Sequence, residues 1–118
     1  MFINRASLLC ILCYFLTACA ISTPDNILPV NNFQADRYMG KWYEIARLDH
    51  SFEQGLSDVS AHYQLLPNGN VEVINRGYNA DKKEWRDITG LAKFLGKSTI
   101  GSLKVSFFWP FYGGYHIA

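Results

Sequence analysis

From Ser102 to Phe108 the chain alternates strictly: Leu103, Val105 and Phe107 point one way, Lys104 and Ser106 the other. A period of two allows a half-buried β-strand and excludes an amphipathic helix. The pattern recurs along the chain. Asp58 to Leu66 sets Val59, Ala61, Tyr63 and Leu65 against Ser60, His62 and Gln64. Val71 to Tyr78 sets Val71 and Val73 against Glu72 and Arg76. Lys41 to Leu48 is a further run; so is Glu84 to Leu95, where Gly90 marks a bend. Tyr115 to Ala118 begins a sixth strand. Turn signals separate the runs: Pro67-Asn68-Gly69-Asn70, Asn79 to Lys83, Gly96 to Gly101, and Pro110 with Gly113-Gly114. No helix of ordinary length is expected. Short sequential strands with one apolar face suit an up-and-down barrel or a sandwich.

At 118 residues the chain is one domain. Aromatic residues make up 15%, which favours β structure or a wide apolar cavity over a helical bundle. Net charge is +1, too balanced for bulk nucleic-acid binding. All three cysteines, Cys10, Cys13 and Cys19, precede residue 20. The folded body therefore has no disulfide, no Cys-ligated zinc and no cysteine nucleophile.

The N-terminus has the layout of an export signal: Arg5 as the positive region, then an uncharged stretch from Ala6 to Ala20 with an apolar core from Leu8 to Leu16. That core is shorter than the ~20 residues of a membrane-spanning helix. Leu16-Thr17-Ala18-Cys19 resembles the bacterial lipobox, in which the cysteine is lipidated and becomes the new N-terminus. Residues 1–18 are then a lipoprotein signal peptide. Residues 19–32 are a lipidated tether, and residues 33–118 are the domain. Ala20 after the cysteine, rather than Asp, points to the outer membrane. Ala20 to Asn32, rich in Pro, Ser and Asn, reads as a spacer. Extended, it reaches roughly 40 Å. Cys10-Ile11-Leu12-Cys13 has redox spacing but lies inside the signal core, and no chemistry is assigned to it.

Catalytic patterns are missing. There is no phosphate loop, no His-Glu-x-x-His pattern and no Gly-x-Ser-x-Gly elbow. His50, His62 and His116 fall in different elements and read as loop or surface histidines. No carboxylate pair has glycosidase character. An enzyme is not expected, and neither is a cofactor or a metal.

Gly40-Lys41-Trp42-Tyr43, after the entry Asn31-Asn32-Phe33, resembles the signature of the lipocalin family. Arg37 to Arg47, Val73 to Asn79 and Lys104 to Tyr115 are similar in order to the bacterial outer-membrane lipocalins, relatives of apolipoprotein D. The resemblance covers residues 31–118. It implies an all-β, eight-stranded antiparallel up-and-down barrel with an outer C-terminal helix. It also implies that a fatty acid or lysophospholipid is stored or transported inside for envelope maintenance. Localisation is then lipid-anchored at the outer membrane, on its periplasmic side. An eight-stranded barrel is just wide enough for one small ligand. The resemblance also implies that Trp42, with Gly40, closes the barrel floor. Alternation offers Val59, Ala61, Tyr63, Val71, Val73, Leu103, Val105, Phe107 and Tyr115 as cavity lining and lipid contacts. Phe108-Trp109-Pro110-Phe111-Tyr112 is a dense aromatic turn. It has three candidate roles: guarding an end of the barrel, packing on a partner subunit, or touching membrane.

Only five strands and the start of a sixth precede Ala118. The family's later strands, its late Arg against the signature tryptophan and its terminal helix do not appear. The expectation is that this is a fragment unable to form a stable monomeric barrel, unless a strand-swapped homodimer supplies the pairing. The competing function is an envelope scaffold or interaction lipoprotein without a ligand cavity. A core filled by large side chains would favour it; a lined, open cavity favours the carrier.

Overall fold

A computed structural model of the chain describes residues 21–46 and 55–118. The described part is one antiparallel sheet of six strands in sequence order. A single helical turn, α1 (Ala35–Tyr38), leads into it. The strands are β1 (Gly40–Tyr43), β2 (Leu56–Leu65), β3 (Val71–Asn79), β4 (Glu84–Phe94), β5 (Ser102–Phe108) and β6 (Phe111–His116). This is the expected all-β up-and-down order.

Local chemistry explains most boundaries. The β2–β3 hairpin closes on Gly69 at φ +86°, and the Asn68 side-chain oxygen accepts from Asn70 N–H at 3.0 Å. In the β3–β4 turn, the Asn79 side-chain oxygen accepts from Lys82 N–H at 3.1 Å. Gly40 holds φ +99°, a left-handed value that lets the chain leave α1 and enter β1 directly.

Three sequence expectations change. Gly90 is no bend: it sits buried within β4, paired with Val73. A Cβ there would fall 2.7 Å from the Phe107 ring, so the glycine makes room for that ring. The sixth strand begins at Phe111, with Gly113 and Gly114 inside it instead of in a turn. Gly114 is needed for close approach, since a Cβ would meet the Ile21 carbonyl oxygen at 2.7 Å.

The third change concerns the tether. The expected free spacer is laid against the domain. Val30 N–H donates to the Ile117 carbonyl at 2.8 Å, and Gly101 N–H donates to Val30 at 2.9 Å. Phe33 N–H donates to Thr99 at 2.9 Å. Farther back, the Ile21 carbonyl accepts from His116 Nε2 at 2.9 Å, and His116 Nδ1 lies 3.0 Å from Ser102 Oγ. His116 is thus half-buried and bonded, not a surface histidine, whereas His62 is exposed. His50, the end of the first expected run and the three cysteines lie outside the described residues.

Candidate functional site

The inner face of the sheet carries the core. Val71, Val73, Ala92 and Leu103 are buried. Register brings them into rows: Tyr63 beside Val73, Val71 beside Ala92, Ala92 beside Val105, Leu103 beside Tyr115. These rows do not close into solid packing. They surround a lower chamber with about 120 Å³ of free space. Tyr63, Val71, Val73, Leu103, Val105, Phe107 and Tyr115 all line it, as placed from alternation. Val59 and Ala61 do not. A register shift between Ser57 and Ser60 sets Val59 against a second chamber instead, and Ala61 pairs with Trp42 beside the first.

The entry segment supplies the floor. Phe33, Tyr38 and Met39 face the chamber from below. Tyr38 packs edge-on against Phe33, with centroids 5.3 Å apart. Trp42 stacks on Tyr38 at 4.7 Å, and its indole N–H donates to the Tyr38 carbonyl at 2.7 Å. Trp42 is still 46% exposed; it braces Tyr38 and does not itself line the chamber. Phe33, Tyr38 and Met39 lie before any periodic run, so alternation does not mark them. Ala92, Asn75 and Ile117 join the lining as well. Asn75 continues the Val71–Val73 alternation, and that was the available signal.

The polar content of the lower chamber is concentrated in three phenols and one amide. Tyr115 Oη lies 2.9 Å from Tyr38 Oη and 3.3 Å from Tyr63 Oη. This chain of hydroxyls ties the segment before β1 to β6, the two ends of the sheet. Burial pushes Tyr115 up to about 12 and raises Tyr38 and Tyr63 above the ordinary phenol range. All three are neutral at any physiological pH. Each phenol donates once, and two links use two donors, so one O–H is left over. No lining residue of the chamber is charged. An ionised head has no counter-charge there, so burying one in this chamber is strongly unfavourable.

Asn75 also lines a second, upper chamber of about 150 Å³, with Leu56, Val59, Arg76, Gly77, Arg86, Asp87, Ile88 and Phe108. Arg76 is engaged: its guanidinium lies 3.0 Å from Asp87 Oδ2 and over the Trp85 ring at 4.8 Å. Arg86, opposite Gly77 on β4, forms no ion pair among the described residues. The two chambers share Asn75: the lower has no charged lining, and the upper includes Arg86. Among the described residues, no group of three or more His, Cys, Asp or Glu is placed to hold a metal.

Residues 33–118 match the model of the lipocalin-like domain family. The chain belongs to the lipocalin family. This lipocalin is 51% identical over 105 residues to outer membrane lipoprotein Blc of Vibrio cholerae, covering 89% of this chain and 61% of that protein. The same protein of Escherichia coli K12 is 51% identical over 105 residues, covering 88% of this chain and 59% of its own length. Apolipoprotein D of Bos taurus is 45% identical over 78 residues, covering 66% of this chain and 40% of that protein. The chain thus spans about three-fifths of the length of the bacterial relatives it matches.

Proposed function

We propose that this lipocalin is an outer-membrane lipoprotein, anchored through lipid on Cys19. It binds the acyl chain of a fatty acid or lysophospholipid, to store or carry it for envelope maintenance. Its work is binding, not catalysis. The observation that supports this most is the polarity gradient: a lower chamber with no charged lining under an upper one holding Arg86. A lower chamber of this size compares with cavities of about 150 Å³ that take one benzene-sized group. It seats the end of an acyl chain. The acidic head of the same lipid reaches up toward Arg86, where it keeps both a cation and water.

Titrating the chain with a long-chain fatty acid and with the matching fatty alcohol tests this. Arg86→Gln should weaken the acid on the order of tenfold, about 1.4 kcal/mol, within the range of a charge-assisted hydrogen bond. It should leave the alcohol unchanged. If neither ligand binds the unaltered chain, the carrier function is wrong. Equal weakening of both would place the head elsewhere.

A further inference from the structure

Phe108, Trp109 and Phe111 form the β5–β6 turn and are 65%, 82% and 72% exposed. Three adjacent large aromatics in water are a costly surface unless something apolar meets them. Two features of the fold indicate what does. First, the turn belongs to the upper chamber, because Phe108 is part of that chamber's wall. Second, the N-terminal segment heads toward it. Followed backward, Val30 bonds at Ile117, Thr23 Oγ1 lies 3.4 Å from His116 Nδ1, and Ile21 lies over Gly114. Each step moves along β6 in the direction of Phe111. From Ile21 to Cys19 is two residues, at most roughly 7 Å. From Gly114 to Phe111 along the strand is roughly 10 Å.

We propose that the Phe108–Phe111 turn is a second membrane contact, which seats the mouth of the cavity on the bilayer that holds the Cys19 lipid. The proposal rests on the anchor at Cys19 and adds an orientation to it. Aromatic rings favour the head-group level of a bilayer, where their apolar bodies leave water. The neighbouring charges fit that depth. Lys104 and Lys93 stand 4.7 and 5.9 Å from the centroid of the Tyr112 ring, just inside the turn. Cations at that height face lipid phosphates. An anchor on a free spacer would let the domain tumble. An anchor two residues before Ile21, which is held on β6, keeps one end of the sheet down. An acyl chain can then pass between bilayer and upper chamber without crossing water.

The test uses the chain extracted from membranes and returned to vesicles of phosphatidylethanolamine and phosphatidylglycerol brominated near the head-group end of their acyl chains. Trp109 fluorescence is obtained as the difference between the chain and its Trp109→Tyr variant. The residue is almost fully exposed, so this change leaves the packing alone. The mass of the extracted chain reports the lipid on Cys19 separately. Bromine should quench the Trp109 share on the order of twofold or more relative to plain vesicles, as for a ring at the interface. An unquenched Trp109 in a lipid-bearing chain overturns the membrane contact and leaves the anchor standing. Quenching in a chain without the lipid supports the contact and removes the anchor. No lipid and no quenching overturns both.

Discussion

An Ala92→Phe variant is expected to lose acyl binding by on the order of a hundredfold while keeping its fold. Ala92 is buried on β4 between Val71 and Val105, and it faces the lower chamber. The added ring enters space that is already free, so overpacking stays at or below the usual ~1–3 kcal/mol. The guest then loses burial of about four methylenes at ~0.8 kcal/mol each. Fatty-acid titration beside thermal unfolding separates the two effects. Unchanged affinity with the chamber filled would mean that lipid binds elsewhere and that the sheet is only a platform. Lost affinity with lost folding would be uninformative alone. Ala92→Leu, which adds less volume, then gives a graded loss if the chamber is the site.

The second large effect falls on the hydroxyl chain. Tyr115→Phe removes the atom that both Tyr38 and Tyr63 meet. Each loses a partner while partly buried, and the link between the entry segment and β6 goes with it. Leaving buried hydroxyls unpaired costs ~1–3 kcal/mol. For a domain of this size that lowers Tm by roughly 4–8 °C per kcal/mol. The alkaline limb should change as well. Tyr115 has a folded-state pKa raised from 10.0 to about 12. The stability held by its neutral form is complete below pH 10 and drains as pH climbs toward 12. The variant should therefore unfold more easily than the unaltered chain at pH 7, and the gap should narrow above pH 10. Denaturant titrations at both ends of that window measure it. Equal stability at pH 7 would mean that the phenols merely lie close together.

The strands were legible because their faces alternate and because Asn and Gly mark their turns, with Gly69 at positive φ. Val71, Val73, Leu103 and Val105 reach the chamber for the same reason: register carries alternation straight across neighbouring strands. Legibility ended where period-two logic ends. Val59 follows a register shift and so lines the upper chamber instead of the lower, a distinction that a sequence pattern does not display. Gly113 and Gly114 read as a turn because glycine usually makes one; here Gly114 is empty space for Ile21. Phe33, Tyr38 and Met39 come from an aperiodic entry segment, so only three-dimensional folding brings them under the sheet. Arg86 was invisible for a different reason. A cation on a strand normally faces water, and only its position opposite Gly77, at the top of the inner face, makes it a candidate partner for a head group.

The most direct measurement is photo-cross-linking with a long-chain fatty acid that carries a diazirine at its terminal carbon, followed by peptide mass spectrometry. A ligand seated tail-down places that carbon among Tyr63, Val73, Leu103 and Tyr115. Adducts should then map to β2, β3, β5 and β6 and vanish in Ala92→Phe. Adducts confined to exposed residues such as Phe111 or Ile45, unaffected by Ala92→Phe, would contradict an internal lipid site.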